Sequence, residues 1–291
     1  MGMRQAIKVC VLASVIVGQA WAPPVATANA EWPSVLTVGS MTSCGDTARV
    51  GEGPAKRSQP GVKVGTISGL GPVKASVDWD NRYELTLAGK DFQVTRSYTP
   101  VTRQTEIIVS GADEVPVEIR LGGVDGFSIA KGAQVLRGTA DPDAIRALLS
   151  GRAVGAFREL IGNYERRLIA GAGGARFDDP HADGFLLAGA FVSSLAGDPT
   201  AMGRSRDLIT RRIRGPVRSA RVQFKDCVRD YEQYLLMIDT QRTQCLDAAN
   251  GRDTWYARGA DRLGCEIEFM AAALAGEGQF ISCTALGSIL T

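Results

Sequence analysis

The chain has 291 residues, 45% of them apolar and 22% charged, which allows one large folded domain or two ordinary ones with a real core. Its 33 Lys and Arg stand against 31 Asp and Glu, and two of the basic residues, Arg4 and Lys8, fall in an N-terminal leader with no acidic residue, so the remainder balances at 31 of each. That balance removes any global electrostatic case for nucleic-acid binding, and no apolar run after the leader approaches the length of a membrane span.

Residues 1–30 read as a cleaved signal peptide. Arg4 and Lys8 form a positive start, Val9 to Ala22 is a short apolar core, and Ala28-Asn29-Ala30 is the small-x-small pattern cut by a signal peptidase. The run is too short to anchor, so the sequence predicts a secreted or periplasmic protein in which disulfides are permitted. Residues 31–61, rich in Gly, Pro, Ser and Thr, read as an irregular arm that carries the odd cysteine, Cys44, as a free thiol.

Over 62–139 the hydrophobic period is two. Val73, Ala75, Val77 and Trp79 alternate with polar residues, then Tyr83, Leu85 and Leu87, then Phe92 and Val94, then the run Ile107 to Val109, then Val117, Ile119 and Leu121. Asp80-Asn81, Gly89-Lys90, Gly111 and Gly122-Gly123 punctuate these runs as turns. Short strands at this spacing, with no helical pattern between them, predict an antiparallel meander or sandwich with one wet face.

Residues 140–215 read as helical. Asp141-Pro142 is a cap followed by a first-turn proline, and Ile145, Leu148 and Leu149 share a face. Val154, Phe157 and Ile161 continue after a break at Gly151. A glycine-rich loop over 171–184 leads to an apolar helix from Gly184 to Leu195, and Asp198-Pro199 opens another that runs to about Arg214.

Residues 216–291 read as a helical hairpin held by two disulfides. Cys227 and Cys245 are 18 residues apart, as are Cys265 and Cys283, which is five helical turns or about 27 Å in each case. An antiparallel pair of helices then joins Cys245 to Cys265 and Cys227 to Cys283. Val228, Tyr231, Leu235 and Ile238 stripe the first helix, which is taken from Pro216 to about Ala249; Leu263, Ile267, Met270, Leu274 and Ile281 stripe the second. A tight turn at Gly251 leaves the cysteines about 10 Å out of step, which no disulfide absorbs. The expected remedy is an irregular stretch over 250–260 with the second helix capped by Asp261.

Two groups of side chains are candidates for chemistry. Asp178, Asp179, His181 and Asp183 lie within six residues in a loop before a helix, a donor set for a divalent cation or a metal-dependent hydrolase; the plain alternative is a polar loop in which Asp183 caps the helix. Arg204, Arg206, Arg211, Arg212, Arg214, Arg218, Arg221 and Lys225 form a basic segment, and Arg204, Arg211, Arg218 and Lys225 repeat every seven residues. Arginine forks suit phosphate, sulfate or carboxylate, so Arg204, Arg211, Arg214, Arg218, Arg221 and Lys225 are the anion-binding candidates, for an anionic envelope surface or a protein partner; the alternative is a solvated face paired with acids elsewhere. No aromatics interleave with them to stack on bases. Ser128 and Lys131 match S-x-x-K but fall in a strand-like stretch that sends them to opposite faces, and Gly171, Gly173 and Gly174 lack the strand and lysine of a phosphate loop. No motif calls for a cofactor. The expectation is an α+β protein, an antiparallel β region followed by helices ending in the stapled hairpin, exported and acting as a non-catalytic binding or structural module.

Overall fold

The computed structural model describes residues 61–80, 82–123, 126–138, 141–170, 180–214, 225–253 and 255–284. Eight strands run in chain order, β1 (Gly61–Ile67), β2 (Gly71–Val77), β3 (Tyr83–Ala88), β4 (Gln93–Thr99), β5 (Gln104–Gly111), β6 (Glu114–Gly122), β7 (Phe127–Lys131) and β8 (Gln134–Arg137). Each pairs antiparallel with the next in a single sheet, a meander with β1 and β8 at its edges. The alternation read from the sequence is the reason. Val73, Ala75, Leu85, Leu87, Val94, Ile107, Ile119, Leu121 and Ile129 are buried on one face. Lys74, Thr86, Thr95, Ile108 and Glu118 follow one another across the opposite face, in register from β2 to β6.

Trp79 departs from its expected place. It was the fourth apolar position of an alternating run, but β2 ends at Val77 and Trp79 is 77% exposed. Asp78 is the cause. Its Oδ1 accepts hydrogen bonds from the backbone N–H groups of Asp80 and Arg82, each at 2.9 Å, and its own N–H donates to the Arg82 carbonyl at 3.2 Å. The strand ends two residues before the periodicity predicts. In β1 the pattern is reversed: Val62 and Val64 point to solvent, 60% and 63% exposed.

Six helices follow: α1 (Pro142–Leu148), α2 (Arg152–Ala170), α3 (Pro180–Leu195), α4 (Ala201–Arg214), α5 (Lys225–Asn250) and α6 (Trp255–Thr284). Asp141 caps α1 through its side chain, as the sequence predicts. Helices α1, α2 and α6 touch the sheet, while α3 packs against α1, α2, α4 and α6. Fourteen of the 16 residues of α3 are buried, which explains its lack of an amphipathic stripe: a helix apolar all round belongs inside. The buried apolar residues of sheet and helices form one continuous cluster. None of the helices is long and apolar enough to cross a membrane, among the described residues.

One expected boundary needs correction. Helix α3 starts at Pro180 rather than Gly184, so His181 and Asp183 lie in its first turn and not in a loop. Helix α5 is described from Lys225, and the expected start at Pro216 lies outside the described residues. The hairpin also solves its alignment differently. Helix α6 starts at Trp255, without the irregular stretch to 260, and Cys245 still bonds to Cys265 with Cα atoms 5.8 Å apart. Cys245 is five residues from the end of α5 and Cys265 is ten residues into α6. At about 1.5 Å per residue, the start of α6 therefore overshoots the end of α5 by about 7 Å. Arg258, Gly259 and Ala260 are accordingly exposed, and Arg252 in the connection pairs with Asp261 at 2.7 Å. The stagger, not a longer loop, brings the cysteines together.

Candidate functional site

Two groups of described polar residues bear on the candidate sites, one buried between sheet and helices and one along α4. The buried group is centred on Arg96. The alternation of β4 puts Val94 and Arg96 on the inner face, so a guanidinium enters the core with 2% of its surface exposed. It meets Glu277 of α6 in a two-pronged ion pair, Nη2 to Oε1 at 2.8 Å and Nη1 to Oε2. Its Nη2 also donates to the His181 carbonyl at 3.4 Å, and its carbon centre lies 3.9 Å from the Phe185 ring centroid. His181 Nδ1 stands 3.2 Å from Glu277 Oε1 and, against an ionised carboxylate, is the donor.

Two further features complete this cluster. Gly184 faces the pair, and a Cβ there would meet the ends of Arg96 and Glu277 and force them to shift. Phe280 packs on both His181 and Tyr231, with centroid distances of 5.4 and 5.5 Å. The Tyr231 hydroxyl is wholly buried and has no hydrogen-bond partner among the described residues. Burial pushes it well above the ordinary tyrosine range, and the negative charges of Asp183 and Glu277 act in the same direction. For Glu277 burial pushes upward too, but Arg96 and His181 outweigh it and hold the carboxyl below its usual range.

Where described residues line it, the space beside this cluster is small. The cavity beside it, between Tyr83, Tyr98, Leu274 and Gly278, measures about 10 Å³, the space of about one water molecule. A wider cleft of about 370 Å³ opens at the β3–β4 and β5–β6 turns, near Lys90, Asp91, Asp113 and Arg152. Its Glu114 is already committed, since the carboxylate accepts the N–H groups of Arg152 at 2.8 Å and Ala153 at 3.3 Å and so caps α2.

Asp178 and Asp179 lie outside the described residues. Among the described residues His181 faces Glu277, and Asp183 pairs with Arg212 of α4. No group of three or more His, Cys, Asp or Glu is placed to hold a metal ion among the described residues. Ser128 and Lys131 sit in β7, and Lys131 donates to the Ser150 carbonyl at 2.8 Å.

Along α4 the basic residues divide. Arg204 pairs with Asp198 at 2.8 Å and reaches Glu165 of α2 at 3.7 Å. Arg206 pairs with Asp207 and with Asp239 of α5, and Arg212 bridges Asp183 of α3 and Glu232 of α5. Those three arginines thus tie α4 to its neighbours. Arg204 also holds the Asp198 carboxyl down to about 2. Arg211 and Arg214, three residues apart and on one side of the helix, are exposed and make no ion pair among the described residues. Arg218, Arg221 and the side chain of Lys225 lie outside the described residues.

No protein-family model, no curated protein and no solved structure matches the chain. The cysteines fare as follows. Cys245–Cys265 is formed, and Cys227 is disulfide-bonded. The side chain of Cys283 and the whole of Cys44 lie outside the described residues, so the expected bond between Cys227 and Cys283 stands as a proposal.

The sequence reading missed Arg96, Glu277 and Tyr231 as a group. A signal was present: Arg96 continues the core alternation of Phe92 and Val94, and Glu277 fills the gap in the α6 stripe between Leu274 and Ile281. A charge at a position that the periodicity assigns to the core marks a buried partner elsewhere.

Proposed function

We propose that the protein is an exported, non-catalytic binding or structural module of the cell envelope or extracellular space, which meets an anionic surface or partner through Arg211 and Arg214. The observation that carries this reading is the division along α4. Three arginines are engaged by carboxylates of neighbouring helices, Arg204 also by Asp198 of the α3–α4 connection, while two on one side remain in solvent. The most reactive-looking groups, Arg96, Glu277 and His181, are buried and engaged with one another, which supports a structural role for them. The disulfide between Cys245 and Cys265 agrees with export to an oxidising compartment.

The test is binding of the exported chain to vesicles with and without an anionic lipid. Each basic residue near such a surface contributes about 1 kcal/mol, so Arg211→Glu/Arg214→Glu is expected to weaken binding by well over tenfold, and raised salt by a similar amount. Unchanged binding in the variant removes the contact. A divalent cation that co-purifies with the chain and is lost with His181→Ala would instead favour the hydrolase reading of Asp178, Asp179, His181 and Asp183.

A further inference from the structure

The turn between β2 and β3 presents Asp78, Trp79 and Asp80 as three exposed residues in succession. An indole left 77% in water is an uncommon exposure for a residue whose burial stabilises so strongly. The turn displays it firmly, because three hydrogen bonds close the loop from Asp78 to Arg82. A side chain held in place before binding loses little freedom on docking, and tryptophan is the residue type most enriched at the centres of interfaces. Val101, 82% exposed, lies in the β4–β5 turn at the same end of the sheet, two strand spacings or about 10 Å further along.

Charge says what this tip takes. Neither Asp78 nor Asp80 makes an ion pair among the described residues, and the nearest cation, Arg82, turns back onto the sheet toward Glu84 and Glu106. A tryptophan face flanked by the unpaired Asp80 carboxylate and the negative charge of Asp78 attracts a cation, and a guanidinium in particular, which stacks on the ring and donates to a carboxylate at its edge. Arg211 and Arg214 are two exposed guanidiniums that make no ion pair among the described residues, with Arg214 feeling Asp239 only at longer range, and no ion pair among those residues joins them to the tip. We infer that the Asp78-Trp79-Asp80 tip of one copy docks on the Arg211–Arg214 face of a second copy. The contact is head-to-tail, two different surfaces meeting, so it closes into a ring or extends as a filament rather than stopping at a symmetric pair.

The inference rests on the reading of Arg211 and Arg214 as a contact, and one set of variants separates the two. Sedimentation of the exported chain over a range of concentrations is expected to show association at low ionic strength that weakens with salt. Trp79→Ala should weaken it by at least about tenfold while leaving vesicle binding unchanged. Asp80→Arg and Arg211→Asp/Arg214→Asp should each abolish it alone, and a mixture of the two should associate again, because the exchanged charges now complement one another. Asp78 is left alone, since it holds the turn. A chain that stays monomeric at every concentration overturns the inference, and so does association indifferent to Trp79→Ala or exchanged variants that ignore each other. If vesicle binding survives Arg211→Glu/Arg214→Glu, the reading of α4 falls as well. If vesicle binding is lost in that variant while Trp79 proves irrelevant to self-association, only the docking of two copies is wrong.

Discussion

Among the described residues two Arg–Glu pairs are buried, and they are built into opposite kinds of surroundings. Arg96 and Glu277 are 181 residues apart in sequence, join strand β4 to helix α6, and have side chains only 2% and 3% exposed. Arg242 and Glu266 are 24 residues apart, join α5 to α6, and lie beside the Cys245–Cys265 disulfide, with Glu266 12% exposed. The second pair belongs to a hairpin whose two helices already lie close through a short connection and a covalent bond. The first has no such help from the chain: its geometry depends on sheet and helices docking, and on Gly184 and the rings of Phe185 and Phe280 leaving the right space. A buried ion pair adds little net stability over an apolar replacement, yet a lone half of one is very costly. The long-range pair should thus act as a test of correct docking, and the short-range pair as reinforcement.

Breaking the long-range pair should have the largest effect. Glu277→Leu leaves a guanidinium buried without its carboxylate and is expected to lower unfolding free energy by about 3–5 kcal/mol, read from denaturant midpoints. The double variant Arg96→Met/Glu277→Leu should recover much of that loss. If the double variant is no better than the single one, the arginine is not the source of the cost.

The staple should come next. Cys245→Ser/Cys265→Ser opens a loop of 20 residues, and the chain-entropy model puts the cost at about 3 kcal/mol. Glu266→Leu should cost less than Glu277→Leu, because its carboxylate is nearer water and its partner can relax toward solvent. An equal or greater loss would overturn the contrast between the two pairs.

The smallest effect is the one on pH. Glu277 is held below its ordinary value of 4.5 in the folded chain, so its contribution is complete above that value and is lost as pH falls through the lower folded one. Stability measured downward from about pH 5 should fall more steeply in the wild type than in Arg96→Met/Glu277→Leu. Parallel curves would mean that the carboxyl is not held down by its partners.

The sheet and the outline of the helices were legible from residues alone because both depend on neighbours in sequence. The alternation from Val73 to Leu121 builds the meander, Asp141-Pro142 starts α1, and the cysteine spacing predicts the bond between Cys245 and Cys265. The same local logic failed where a side chain overrode the period, as at Trp79 behind the Asp78 turn, and at the start of α3, which begins at Pro180 rather than Gly184. Glycines in α6 that weaken an isolated helix turned out to admit partners: Gly276 meets Tyr234 of α5 and Gly278 meets Tyr98 of β4.

By itself, then, the sequence determined the order and type of the elements, since periodicity and capping act over a few residues. Tertiary structure alone decided which charges answer one another. Arg96, His181 and Glu277 come from three distant segments, and nothing within a turn of any of them specifies the others. The same holds for α4, where packing against α2, α3 and α5 neutralises Arg204, Arg206 and Arg212 and leaves Arg211 and Arg214 in solvent. A charge run in sequence becomes a surface only after the fold has subtracted the cations that it uses for itself.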